Sequence, residues 1–281
     1  MGDVHVPEPR LGLFFLREDL LLNGNQTNMS LDIYRISAIE GNEIGINRVH
    51  LVHSFGLPQI NEDDYETIEV NCRPQHSFPL TSTPRPYRPF TSDPLRAILP
   101  IEAVIRRAHY GAARFMTFTF IIHHRTLLDL TLEALDSPTQ EFSEIESLPW
   151  DAWGPHSTRM LADDSTTDDC STTSSGTRFI LLQGPQLEVL DFACHKANPP
   201  TMQRGDNRPD AKGVPVHLVG TESIYPVGAG PFTQDIRTNL PYVSSRRLVG
   251  LEDRLWEGVF MDDERIVGFT SSAIHILHLQ P

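Results

Sequence analysis

The sequence predicts an all-β protein of short antiparallel strands, and three observations carry that expectation. Hydrophobic alternation and short apolar runs recur along the 281 residues more often than any helical period. Turn residues separate these runs at spacings that suit hairpins rather than crossover helices. Two aromatic and acidic signatures, LPWDAWGPHSTR at 148–159 and WEGVFMDDERIVGF at 256–269, read as parts of small repeated sheets.

In chain order, the runs at 11–22, 31–38, 49–55, 67–72, 114–128, 178–182, 187–192, 214–219, 242–251, 258–261, 265–269 and 273–279 read as strands. Within 114–128, the stretch FMTFTF places apolar bulk on both faces, as a strand packed between two sheets requires. Residues 94–109 have a helical spacing of apolar side chains that Pro100 interrupts, so they read as strand or irregular. Asn23-Gly24, Gln183-Gly184-Pro185 and Asp262-Asp263-Glu264 lie between apolar runs, where hairpin connections are expected.

Three segments read as exposed loops within one domain spanning 1–281. They are 73–94 with its prolines, 162–176 rich in Ser, Thr and Asp, and 197–212. The strands closing with 273–279 would make most of a propeller blade. The expected architecture is therefore propeller-like and possibly incomplete, with a β-sandwich as the alternative.

A formal charge of −14 and a pI near 5.2 argue against nucleic acid, whose affinity comes largely from Lys and Arg neutralising phosphates. No basic-then-apolar leader opens the chain, and no uninterrupted apolar run approaches the roughly 18 residues that span a bilayer. A soluble cytoplasmic or nuclear protein is expected, with no membrane partner. Cys72, Cys170 and Cys194 lack any C-x-x-C spacing, which suits reduced thiols and gives no zinc framework. In such a compartment the sequons at Asn25 and Asn28 carry no sugar. Lys196 and Lys212 are the only lysines beside 21 arginines, an asymmetry that arginine-rich codon usage explains more simply than function does.

No arrangement rises to catalysis. Asp262, Asp263 and Glu264 would diverge on a hairpin turn, and the aspartates at 163, 164, 168 and 169 lack the spacing of a calcium loop. His123-His124, His50/His53 and His275/His278 should each divide between the two faces of a strand, one buried and one exposed. No G-x-S-x-G, Walker or H-E-x-x-H pattern occurs, and Cys194-His195 are neighbours in sequence rather than a pair assembled in space. The expectation is a protein without enzymatic activity, cofactor or metal. Trp150 and Trp153 read as core groups, with Arg159 reaching carbonyls or a carboxylate, rather than as exposed interface anchors.

The succession WDAWGPHSTR at 150–159, VLDF at 189–192, TNLPY at 238–242 and MDDERIVG at 261–268 resembles the C-terminal part of uncharacterised F-box proteins of mushroom-forming fungi. The likeness covers residues 85–281 well and the earlier part loosely. It implies a β-rich, propeller-like substrate receptor for a cullin-based ubiquitin ligase, and hence the cullin adaptor as a possible partner. The chain departs from that family in lacking an F-box and in having Ala193-Cys194 where Asn-Pro usually follows the Asp-Phe pair.

The function expected is therefore protein–protein interaction, with Trp150, Trp153, Arg159, Asp262 and Arg265 as the structural or interaction residues whose loss matters most. A propeller glycosidase or carbohydrate-binding protein is the alternative, and would need two carboxylates from separate strands facing one cleft. An inert fragment of a truncated gene product is a third reading.

Overall fold

The structure, a computed structural model, describes residues 12–38, 47–72, 94–108, 115–136, 147–163, 170–193, 208–209, 215–249, 256–262 and 264–279. The chain is all-β, with several antiparallel sheets and two α-helices among the described residues.

Strands β1 (Phe14–Arg17), β2 (Leu20–Asn25), β3 (Ser30–Ala38) and β4 (Asn47–Gly56) form an antiparallel meander. The run at 11–22 is thus a hairpin rather than one strand. Its turn is Glu18-Asp19, where Asp19 takes the Arg17 guanidinium at 2.5 Å. Asn23-Gly24 is not a turn but part of β2. Glycine is required there because a methyl group would overlap the Val70 carbonyl of the facing sheet.

The second sheet comprises β5 (Tyr65–Cys72), β6 (Ile98–Arg107) and β7 (Phe115–His123), with β9 (Thr158–Asp163) beside β7. Among the described residues, β5 pairs with β6 from Tyr65–Arg107 to Cys72–Ile101, one residue short of Pro100.

The strand expected over 114–128 ends at His123, and helix α1 (His124–Asp136) follows. His124, Leu127, Leu128 and Thr131 repeat at helical spacing and form its buried stripe. Apolar runs flank the polar HHRT at 123–126, and no Gly or Pro marks the change of period between them.

Short strand β8 (Ser147–Leu148) pairs parallel with β4, and helix α2 (Trp150–Ser157) links it to β9. The aromatic signature at 148–159 is therefore mainly helical, with Gly154-Pro155 inside the helix instead of forming a turn.

A third sheet runs β10-β11-β12-β17-β14-β13, from β10 (Cys170–Ser175), β11 (Arg178–Gln183), β12 (Gln186–Asp191), β13 (Arg208–Pro209), β14 (Pro215–Val219) and β17 (Tyr242–Leu248). Two of the expected loops contribute to it. The segment 162–176 contains the end of β9 and all of β10, whose polar CSTTSS is recruited by backbone pairing to β11 along its whole length. Arg208–Pro209 is a short edge strand inside 197–212, and the rest of that segment lies outside the described residues, as does 73–93. The Gln183-Gly184-Pro185 hairpin is as expected, with Gly184 at φ +55°. A small ribbon, β15 (Ser223–Tyr225) with β16 (Ile236–Thr238), packs beside α2 and β9.

The last sheet is the meander β18 (Gly258–Met261), β19 (Arg265–Phe269) and β20 (Ile274–His278). Trp256 lies over Gly268 and stacks on His275, and Phe269 covers Gly258, so aromatic rings fill both glycine sites of this sheet.

The core divides into three clusters that separate the sheets in chain order. The largest lies between the first and second sheets and holds Leu20, Leu31, Ile33, Phe55, Ile101, Phe118 and Phe120 under the two helices. Across the second sheet, Ile98 and Ile121 meet Phe179, Leu190 and Phe192 of the third. The opposite face of the third sheet sends Ile180, Leu182 and Leu187 against Val259, Met261 and Ile266 of the fourth. Strand β11 shows the principle, since Phe179 and Leu181 serve one cluster and Ile180 and Leu182 the other. The result is a face-to-face stack of antiparallel sheets, each burying apolar side chains against its neighbour.

Candidate functional site

A cleft of about 1270 Å³ opens where the loop end of the first sheet meets the second. Three rims build it, and each is fixed by local hydrogen bonds.

The β2–β3 turn forms the first rim. Asp32 is 4% exposed, and its carboxylate accepts hydrogen bonds from Asn25 Nδ2 at 2.8 Å, Ser30 Oγ at 2.9 Å and Ser54 Oγ at 2.8 Å. Three donors offset the cost of burying that carboxylate. Held this way, Asn25 presents Oδ1 to the backbone N–H groups of Thr27 and Asn28, which shapes the turn and leaves Met29 at φ +46°.

The β4–β5 connection, residues 57–64, forms the second rim. Asn61 Oδ1 accepts from the N–H of Asp63, its Nδ2 donates to Asp64 at 3.0 Å, and its carbonyl accepts from the N–H of Tyr65 at 2.9 Å. The ribbon at 221–240 stitches this loop to the body, with Asn61 N–H donating to Pro231 O at 2.8 Å and Thr233 N–H to Gln59 O at 3.1 Å.

The start of α2 forms the third rim. There Asp151 accepts a hydrogen bond from Gln234 Nε2 at 3.0 Å. Four carboxylates line the cleft, Glu62, Asp63, Glu66 and Asp151, together with several side-chain amides. No Lys, Arg or His is among the described lining residues. All four acids are solvent-exposed. Arg106 neutralises Glu66 in part from the neighbouring strand β6.

Trp150 and Trp153 form the floor under that third rim. Trp150 is 4% exposed and Trp153 2%. Their rings meet edge to face at 5.3 Å, Trp153 continues to Phe55 and Trp150 to Phe120, and Trp153 Nε1 donates to Gly56 O at 2.9 Å. Gly154 is obligatory because any side chain would collide with the Trp150 indole one turn earlier.

Arg159 follows on β9 and is 2% exposed. Its guanidinium donates to Leu240 O at 2.8 Å, Ser223 Oγ at 2.8 Å and Thr221 O at 3.1 Å, and lies 5.3 Å from the centre of the Tyr242 ring. Among the described residues no carboxylate reaches it, so carbonyl dipoles and one hydroxyl satisfy this cation. Burial lowers the Arg159 pKa and raises that of the Tyr242 hydroxyl.

Asp262 and Arg265 lie elsewhere, at the hairpin of the last sheet, paired with each other at 2.8 Å and exposed. Burial raises the Asp262 pKa, but the backbone N–H groups of Glu264 and Arg265 and the Arg265 guanidinium outweigh it, and the net shift is downward. The structure thus unites Trp150, Trp153 and Arg159 at one end of the stack and leaves Asp262 and Arg265 at the other.

The histidines depart from the expected division. His123 and His124 are both buried because the chain turns from strand to helix between them, and His124 Nε2 meets Leu16 O at 2.9 Å. His275 and His278 are both exposed on β20, the last strand of its sheet among the described residues. His53 is 6% exposed, edge-on to Phe55 at 4.5 Å, and neither ring nitrogen has a partner among the described residues. Burial lowers its pKa from the ordinary 6.5. No group of three or more His, Cys, Asp or Glu among the described residues is arranged to hold a metal ion. No helix among them is long and apolar enough to cross a membrane.

Sequence reading passed over the cleft. The available signal was NEDD at 61–64, an acidic turn between two strands with an asparagine placed to cap it. Asp263 and the Cys194-His195 pair lie outside the described residues. No family model, no curated protein and no solved structure matches this chain, so the likeness to the F-box receptors stands on the quoted residues alone.

Proposed function

We propose that this protein is a non-enzymatic binding module whose cleft takes a basic, extended segment of a partner protein. One observation carries the reading: four carboxylates and several amides line an open cleft, without a described basic side chain, on rims fixed by their own hydrogen bonds. A Lys- or Arg-bearing segment meets complementary potential there, and the net charge of −14 steers it inward. Loops on a rigid β scaffold are where such specificity usually resides.

A glycosidase reading draws support from carboxylates contributed by separate elements, Glu66 on β5 and Asp151 on α2. A general acid, however, needs a carboxyl held protonated by a dry environment, and these are exposed. The binding role is therefore preferred. Service as a receptor in an F-box-type ubiquitin ligase enters this proposal through the sequence resemblance only.

An array of peptides graded in charge tests the reading. Binding should rise with Lys and Arg content, weaken as salt increases, and drop at least about tenfold in Asp63→Lys/Asp151→Lys. Equal binding of acidic and basic peptides would refute it. Co-purification of the cullin adaptor with the bare chain is a separate test of the ligase role.

A further inference from the structure

We propose that β20 is a homodimerisation edge, through which two copies of this chain join their last strands antiparallel about a two-fold axis at Ile276.

The backbone register makes this edge self-complementary. The N–H of Leu279 donates to Glu264 O, and the N–H of Thr270 donates to Ala273 O. With the pairing of Ile276 to Val267 and Ile274 to Phe269, the odd residues of β20 are those bonded to β19. Ile274, Ile276 and His278 therefore direct their N–H and C=O groups to the open side, where β20 has no neighbour among the described strands. An axis at Ile276 sets Ile276 opposite its own copy and Ile274 opposite the copy's His278. Each such pair can exchange both backbone bonds.

The side chains point the same way. Protein edges are normally defended by lysine, proline, a bulge or a covering element. The strand IHILH has no charged residue and no proline, and its pairing to β19 shows no register shift. Ile274 is 73% exposed and Ile276 53%, and they continue an apolar row with Phe269 and Phe260 at 45% and 38%. Like charges opposite one another would forbid self-pairing, and β20 supplies none. Arg265, beside His278, is already paired with Asp262. In a chain of net charge −14, an uncharged strand is where two copies can approach with least repulsion.

Magnitude sets the expected strength. Edge pairing of one short strand buries well under the ~1,200 Å² total at which stable interfaces begin, so a weak, concentration-dependent dimer is expected.

Sedimentation equilibrium of the full chain from about 1 to 200 µM reads this directly. The apparent mass should rise from 31.7 kDa toward twice that value with concentration. The shift should strengthen at higher salt, which screens the repulsion between the copies. Ile276→Lys places two ammonium groups at the axis and should weaken the dimer at least about tenfold. Ile276→Pro removes an N–H that β19 does not use and should act alike without changing charge. Near-UV circular dichroism confirms that each variant is folded. A monomer at every concentration, or a dimer that persists in both folded variants, overturns the proposal.

Discussion

The first two sheets and the last sheet solve the same packing problem with different resources. Between the first two, a large core is closed over by α1 and α2 and by Phe232 and Ile236 from the ribbon. The last sheet buries one face only, on a small cluster, and leaves Ile274 and Ile276 in solvent. The cleft sits on the region with the deeper core. Its geometry therefore draws on a larger core, while the thin end holds exposed pairs such as Asp262–Arg265 and Ser271–Glu257.

Substitutions can break this contrast, beginning with the largest effect. Arg159→Leu leaves Leu240 O and Thr221 O without their donor and should destabilise by about 3–5 kcal/mol in urea titration. A loss below about 1 kcal/mol would mean that the guanidinium is dispensable to the deep region. Trp153→Ala opens a cavity beside Phe55 and Trp150 and should cost a similar ~3–5 kcal/mol, with weaker peptide binding because the cleft floor subsides. Gly24→Ala forces the first sheet off Val70 and should cost about 1–3 kcal/mol.

His53 sharpens the comparison through pH. Its folded pKa is lowered by burial, so the unfolded chain takes up a proton first as pH falls through about 6.5. Stability present above that value should decline toward pH 5 by at most about 1.4 kcal/mol per pH unit. Replacement His53→Phe should flatten the decline, with little change at pH 7.5, in thermal melts run across the range.

The smallest effect belongs to the thin end. Asp262→Asn should cost under about 1 kcal/mol, because its partners are exposed. Its folded pKa is lowered, so its contribution is present above the usual carboxylate range and is lost as pH falls through the folded value. Comparing acid titrations of this variant and the parent chain below about pH 4 isolates that contribution.

Much of the strand set was legible because burial leaves short apolar or alternating runs bounded by turn residues. Strand β11, apolar on both faces, and the 258–261 and 265–269 hairpin are the clearest cases. Helix α1 was not, because in FMTFTFIIHHRTLLDL no Gly or Pro marks the point, at HHRT, where the period changes between two apolar runs. Helix α2 was hidden by Gly154-Pro155, which local preference assigns to a turn but which the packing of Trp150 and Trp153 holds helical. Strand β10 was hidden because its polar residues are recruited by backbone pairing rather than by apolar burial. Of the candidate site, the core placement of Trp150 and Trp153 could be read from the chain, while Arg159 was left between carbonyls and a carboxylate and meets two carbonyls and the Ser223 hydroxyl. The cleft could not, since its rims converge only after the 57–64 loop meets residues 231–234.

That meeting also constrains how the protein is made on the ribosome. Ile60 bridges to Phe232, and Phe232 and Ile236 complete the core of the first two sheets. A nascent chain that has released residues 1–163 holds every described strand of those sheets, yet it lacks the plug that seals them. The N-terminal region must therefore wait, incompletely closed, for about 70 further residues, roughly 4–14 seconds at about 5–20 residues per second. Among the described elements, its final closure is thus a late event in biosynthesis although its strands are the first to emerge.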